Sequence, residues 1–197
     1  ARFLQVSLNQ ISNISIETFL QTDANEIESF EFNNNTVLSS NFSLNFISLK
    51  AIKSSGPWTL NHNLISAVFI TPSDSMNFNK YSISFIATSA KHATNSSSLV
   101  FHSNLFSSLT SDMPKGTSQD LDATLISFDT LQSITFFNTS FEAMKLWSFG
   151  NVLQLTNSPR ITITQSGFKF LTYYSMSGLI YTDTPSLLFS NNTIQGI

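Results

Sequence analysis

The chain has 197 residues, of which only 11% are charged, and its formal net charge at pH 7 is −3. Ser, Thr and Asn together make up more than a third of the chain, while 41% of it is hydrophobic, including 19 Phe. This apolar content can form a core and excludes general disorder; the nine dispersed Lys and Arg exclude a basic nucleic-acid surface, and no apolar run approaches the ~18 residues of a membrane span.

A nine-residue pattern first occurs at residues 29–37 and recurs toward the C-terminus. Its second, fourth and ninth residues are apolar, and its sixth residue is Asn34 in the first copy. The last three copies align without gaps, and they begin at the evenly spaced positions Ser133, Arg160 and Ser186. Such a nearly fixed period is typical of repeat proteins. Further copies cover residues 98–106, 133–141, 160–168 and 186–194, and a shorter match covers residues 81–86.

A second alternating stretch precedes each of the last three copies, at residues 125–129, 152–157 and 179–183. Short alternating stretches that are rich in β-branched and aromatic side chains predict β-strands. A unit this short cannot bury a core alone, so successive units must stack on one another. We expect parallel sheets with two inward stacks, formed by Phe136, Ile163 and Phe189 and by Phe141, Phe168 and Ile194.

The pattern x-[ILF]-x-[FI]-x-[NQ]-x-x-[FIV] resembles the short repeat of the right-handed parallel β-helix proteins of the pectin-lyase-like superfamily. The resemblance implies an all-β fold, a right-handed parallel β-helix (β-solenoid), with coils of about 22–27 residues. The Asn-, Ser- and Phe-rich composition is similar to that of surface or structural repeat proteins in protist or bacterial ectodomains. A β-sandwich with a strand every eight to twelve residues is the competing all-β fold.

Residues 1–197 are predicted to form a single β-helix segment of a longer protein, because the C-terminus stops inside a repeat unit. The coils are expected to be more irregular over residues 1–97 and regular over residues 98–197. Two longer loop insertions are predicted, at residues 107–123 and 142–150, and the second of them contains Trp147.

Amide and carboxylate side chains recur at the predicted corners between strands. Stacked along the solenoid axis, they would hydrogen-bond to corner backbone groups whose burial otherwise costs ~1–3 kcal/mol each. The resemblance to β-helix enzymes implies a second interpretation, in which Asp129 and Asp183 are a catalytic pair, since glycoside hydrolysis needs two carboxylates roughly 5–10 Å apart. The predicted corner ladder consists of Asp129, Asn157, Asp183, Asn138, Gln165 and Asn191.

The sequence provides no metal or cofactor motif, and we expect neither. It contains no cysteine, and its histidines, His62, His92 and His102, are dispersed without zinc-ligand spacing. The acidic residues in the insertion at 107–123 lack the spacing of a calcium-binding loop, so they are expected to be solvated. These residues are Asp112, Asp120 and Asp122.

Six asparagines fit the N-glycosylation pattern Asn-x-Ser/Thr, and with the composition they indicate an extracellular, cell-surface or lumenal location. The leading hypothesis is a non-catalytic structural or adhesive module that assembles with itself into fibres or a surface layer, or with other surface proteins or glycans. The alternative is a carbohydrate-active (polysaccharide lyase- or hydrolase-like) or glycan-binding β-helix. No nucleic-acid partner is expected. The six asparagines are Asn13, Asn34, Asn41, Asn95, Asn138 and Asn191.

Overall fold

The structure is a computed structural model that describes residues 3–70, 84–93, 97–111, 123–146, 149–173 and 178–197. Within these residues all regular secondary structure is β-strand, and the strands form three parallel sheets. The chain visits the three sheets in turn and then begins the next coil on top of the previous one. The predicted all-β parallel solenoid is therefore confirmed.

The first sheet is built from the start of each nine-residue unit, where apolar residues alternate with polar ones and point inward. Its seven strands are Phe3–Ser7, Ser29–Asn33, Pro57–Asn61, Ser98–His102, Ser133–Phe137, Ile161–Thr164 and Leu187–Ser190. The second sheet is built from the end of each unit. Its seven strands are Gln10–Ser12, Thr36–Leu38, Leu64–Ser66, Leu105–Ser107, Ser140–Glu142, Gly167–Lys169 and Thr193–Gln195.

The third sheet contains the second alternating stretch of each unit. It takes one long strand from each of the first two coils and two shorter strands from each later coil. Its ten strands are Ser15–Ile27, Asn41–Ser54, Phe69–Ile70, Ser84–Ala93, Thr110–Ser111, Ala123–Asp129, Lys145–Leu146, Phe149–Thr156, Thr172–Tyr173 and Gly178–Thr182.

Hydrogen bonds between equivalent residues of adjacent coils give the length of each coil. Most of these separations lie between 26 and 28 positions in the sequence, as for Asn35 and Asn63, which are 28 positions apart. Two coils are longer. The separation is 41 positions from Asn63 to Asn104 and 35 positions from Ser103 to Asn138.

The two long coils differ in part from the predicted insertions. The shorter of them contains residues 107–123, of which 112–122 lie outside the described residues. Residues 142–150 do not lengthen their coil, because they contribute Lys145–Leu146 and the start of Phe149–Thr156 to the third sheet; Trp147 lies outside the described residues. The longest coil is instead the one that contains residues 71–83.

The inward side chains of successive coils stack into one continuous apolar core. The rings of Phe106 and Phe141 are 5.1 Å apart with an interplanar angle of 12°, and those of Phe141 and Phe168 are 5.1 Å apart at 9°. This spacing follows from the ~4.8 Å separation of paired strands. The register of both predicted stacks is confirmed, since Phe136, Ile163 and Phe189 are paired, as are Phe141, Phe168 and Ile194. The first two members of each stack are buried, while Phe189 and Ile194 in the last coil are exposed.

Sharp corners between the sheets are made by single residues in the left-handed backbone region. We call the corner between the first and second sheets the first corner; its left-handed residues are Leu8, Asn34, His62, Ser103, Asn138, Gln165 and Asn191. A non-glycine residue in this region costs about 1–2 kcal/mol, and the corner backbone N–H offsets part of this by donating to the next coil. For example, Asn34 N donates to the Asn61 carbonyl oxygen at 2.9 Å.

Replacing Phe141 by Ala should lower the free energy of unfolding by about 3–5 kcal/mol, because the ring is fully buried between two stacked rings. Urea unfolding followed by circular dichroism measures this change. Phe69→Ala is the matched control: this ring is 52% exposed, and its loss should change stability by no more than about 0.5 kcal/mol. Equal losses in the two variants would contradict the stacked core.

Candidate functional site

A column of buried asparagines runs along the first corner, directly after the left-handed residue of each coil. Asn35, Asn63 and Asn104 are at most 3% exposed. The backbone N and the Nδ2 of Asn35 both donate to Asn63 Oδ1, at 2.9 and 3.2 Å. The same two groups of Asn63 donate to Asn104 Oδ1, at 3.0 and 2.9 Å. Each amide oxygen therefore accepts two hydrogen bonds from the preceding coil.

The amide nitrogens of this column also bind main-chain carbonyls of the preceding coil. Asn63 Nδ2 donates to the Phe32 oxygen at 2.7 Å, and Asn104 Nδ2 donates to the Leu60 oxygen at 2.6 Å. An unpaired buried donor or acceptor would cost about 1–3 kcal/mol, so the column removes this penalty coil by coil. Asn9, which is exposed, begins the column in the first coil, where its Nδ2 donates to Asn35 Oδ1 at 3.1 Å. We call Asn9, Asn35, Asn63 and Asn104 the asparagine ladder.

Hydroxyl side chains replace the amides in the next two coils. Thr139 N donates to Ser166 Oγ at 3.3 Å, and Ser166 N donates to Asn192 Oδ1 at 2.8 Å. Asn192 Nδ2 in turn donates to the Ile163 carbonyl at 2.8 Å. The column thus continues with hydroxyls through the fifth and sixth coils and returns to an asparagine in the last coil.

The buried column lies one residue after the amides predicted to form it. Asn138, Gln165 and Asn191 are the exposed left-handed residues of the corner itself. Of these, Asn138 bridges adjacent coils through a 3.0 Å hydrogen bond from its Nδ2 to Ser103 Oγ. The displacement has a physical reason: the left-handed residue points outward, and only the following side chain enters the corner.

The structure brings together the three predicted residues at the corner between the third and first sheets. Asn157 Nδ2 donates to Asp129 Oδ1 at 2.7 Å, and Asn157 N donates to Asp183 Oδ1 at 2.8 Å. Asp129 Oδ1 also accepts a 3.0 Å hydrogen bond from Thr156 Oγ1. Asp129 is half-buried, while Asn157 and Asp183 are exposed. The two carboxylates therefore bond to donors that link three successive coils.

Of the basic residues near this part of the chain, Lys169 is engaged elsewhere. Its Nζ lies 3.2 Å from Glu142 Oε1 on the second sheet. Lys145 and Arg160 are exposed.

Two of the histidines that the sequence shows as dispersed lie side by side in the structure. The rings of His62 and His102 are 5.0 Å apart, and the ring of His102 is 5.2 Å from that of Phe137. The expectation of dispersed histidines is wrong for this pair. The repeat register could have predicted the contact, because it places His62 and His102 at neighbouring positions of adjacent units. The backbone of His92 lies in the third sheet, paired with Lys53. In the described part of the chain, no group of three or more His, Asp or Glu could hold a metal ion.

The structure separates the predicted glycosylation sites into two groups. Asn13, Asn34, Asn138 and Asn191 are exposed left-handed corner residues. Asn41 is half-buried in the third sheet, and its Oδ1 is buried. The sixth site, Asn95, lies outside the described residues.

No protein-family model matches the chain, and searches of the curated proteins and of the solved structures also found no match. Membership of the pectin-lyase-like superfamily therefore stays a prediction that rests on the repeat pattern. No helix of the length and apolar character of a membrane span is present among the described residues.

Replacing Asn63 by Leu should destabilise the chain by about 3 kcal/mol, because buried donors and acceptors of the adjacent coils would lose their partners. Asn34→Gly is the matched control. It changes an exposed corner residue with a φ of 58° that glycine adopts readily, so its effect should stay within about 0.5 kcal/mol. Thermal and urea unfolding measure both variants. An Asn63→Leu chain as stable as the parent would show that the ladder contributes nothing.

Proposed function

We propose that the chain is a non-catalytic structural or adhesive β-helix module of a secreted or cell-surface protein. The observation that supports this most is the use of its polar side chains. The asparagine ladder and the Asp129–Asn157–Asp183 corner form hydrogen bonds from coil to coil. Side chains engaged in this way hold successive coils together, which suits a structural role better than a catalytic one.

The dimensions and surface of the rod suit a spacer or an assembling unit. The seven strands of the first sheet correspond to a length of ~29 Å at ~4.8 Å per step. In this sheet the outward positions of four successive strands, Pro57–Asn61 to Ile161–Thr164, carry no Asp, Glu, Lys or Arg. A protein surface with little charge associates more readily than a charged one, so we propose that this face binds a second copy or another surface protein.

The other two sheets carry charged side chains, some of which form ion pairs. Lys53 Nζ lies 3.1 Å from Glu26 Oε1 on the third sheet, and Lys169 pairs with Glu142 on the second sheet. These charges distinguish both sheets from the four uncharged strands of the first sheet; the neighbouring strand Ser29–Asn33 of that sheet carries Glu31.

A carbohydrate-active β-helix is the second candidate function, and one observation favours it. Asp129 and Asp183 lie on one corner, with the Asn157 coil between them. Two coil steps separate equivalent positions by about 9–10 Å, which is near the carboxylate separation of inverting glycoside hydrolases, roughly 6.5–9.5 Å.

Enzyme assays with the Asp129→Asn and Asp183→Asn variants distinguish the two functions. An asparagine Oδ1 can accept the same hydrogen bonds as the carboxylate, so both variants should fold as the parent does. We expect no release of reducing ends or unsaturated products from polygalacturonate, and no difference between parent and variants. Depolymerisation that the two variants lose would overturn the structural role.

Sedimentation velocity over a range of concentrations tests the assembling face. We expect the parent to form larger species at high concentration and the double variant Thr135→Lys, Thr162→Lys to form fewer of them, because lysines would then project from the uncharged face. Leu64→Lys with Leu105→Lys, which pair on the second sheet, is the matched control and should assemble like the parent. A parent that stays monomeric throughout would contradict assembly through this face.

A further inference from the structure

We propose that the exposed corners of this solenoid carry N-linked oligosaccharides at Asn13, Asn34, Asn138 and Asn191, and that Asn41 stays unmodified. The inference rests on the secreted or cell-surface location proposed above. It goes beyond the sequence motif, because the motif treats all five asparagines alike and the structure does not.

The four corner asparagines share a geometry that accommodates a large substituent. Their φ angles are 56°, 58°, 49° and 54° in chain order, and all four side chains are exposed. In three of them, the backbone N–H donates to a carbonyl of the next coil: Asn13 to Leu38, and Asn34 and Asn138 to Asn61 and Thr164. The main chain therefore forms the corner, and the side chain projects from it.

The buried neighbours of these residues remain untouched by such a modification. At Asn34, Asn138 and Asn191, the inward hydrogen bonds of the corner are made by the next residue. An oligosaccharide on the left-handed residue would leave the asparagine ladder in place. Among the hydrogen bonds of the described residues, such a glycan would directly affect the exposed one from Asn138 Nδ2 to Ser103 Oγ.

Asn41 has the opposite environment. It opens the strand Asn41–Ser54, where it is paired with Ser15 on one side and Phe69 on the other. Its side chain is half-buried and its Oδ1 is buried. A glycan there would have to displace this side chain from the sheet, so folded chains should lack it.

The modification is a group transfer with a defined balance. The Nδ2 of the asparagine forms a bond to the anomeric carbon of an oligosaccharide carried on a polyprenyl pyrophosphate. The bond from that carbon to the pyrophosphate oxygen breaks, the polyprenyl pyrophosphate leaves with the electron pair, and Nδ2 loses one proton to solvent.

The positions define where carbohydrate would lie on the rod. Asn34, Asn138 and Asn191 belong to the second, fifth and seventh coils of the first corner, so they are separated by about 14 and 10 Å at ~4.8 Å per coil. The oligosaccharides on these three residues would form one row along the edge between the first and second sheets, and the one on Asn13 would lie at the corner between the second and third sheets. Lateral contacts of the module would then avoid this edge.

Site occupancy in secreted material tests the inference. The chain is expressed behind a signal peptide in eukaryotic cells, and the folded secreted fraction is treated with peptide N-glycosidase in ¹⁸O-water and mapped by mass spectrometry. We expect the ¹⁸O-labelled aspartate at the four corner sites and none at Asn41. Asn157 is a natural negative control, because it is an exposed corner residue with a φ of 51° that is followed two positions later by Pro159 instead of Ser or Thr.

A new sequon in the same column provides the positive control. His62→Asn with Leu64→Thr places an asparagine at a first-corner residue with a φ of 55°, and this site should also be labelled. Label at Asn41 in folded chains, or empty natural sites beside a filled Asn-substituted position 62, would overturn the inference. An empty position 62 together with empty natural sites would overturn it as well, by showing that the corner does not accept glycans. The polysaccharide and sedimentation assays are read independently of site occupancy. Failure of the proposed function is therefore distinguished from failure of this inference.

Discussion

The parallel hydrogen bonding between coils is the constraint on which the rest of this structure depends. Strands of successive coils pair in register, so equivalent residues are only ~4.8 Å apart. At that distance a side chain packs mainly against its own equivalents. Phe106, Phe141 and Phe168 stack for this reason, and a polar residue that points inward is satisfied only if its neighbours along the column also hydrogen-bond. The asparagine ladder is the result of this requirement.

The sequence predicts this fold well wherever the repeat is regular. The gapless alignment of residues 133–141, 160–168 and 186–194 gives the observed register because each inward position there holds an aliphatic residue or Phe. The pattern does not detect the copies that begin at Phe3 and Pro57. Leu8 and His62 occupy the sixth position, where the pattern requires an amide, and Trp58 occupies the second position, where it requires Ile, Leu or Phe. The short match at residues 81–86 is the opposite kind of error. The pattern would assign it to the start of a nine-residue unit, but Ser84–Ala93 belongs to the third sheet.

The polar corners are harder to predict than the core, for a reason visible in single residues. Asn34 and Asn35 are both asparagine, as are Asn191 and Asn192, so composition cannot show which of the two turns inward. Only the backbone decides: the first residue of each pair has a positive φ and projects outward, and the second enters the column. The Asp129–Asn157–Asp183 corner is easier to predict, because Pro159 and Pro185 mark where its strands end.

Adjacent corner residues have different roles. The inward residue stabilises the stack of coils, and the outward left-handed residue can vary. The residue after each left-handed position is constrained by its column, which holds only Asn, Thr or Ser in the coils where these contacts form. The left-handed residue is not constrained in this way, since Leu8, His62, Ser103 and Gln165 all occupy it. A chain can therefore change these outward corner residues without altering the buried hydrogen bonds that the following residues form from coil to coil. The fold therefore specifies the buried side chain of each corner, and it leaves the outward side chain next to it undetermined.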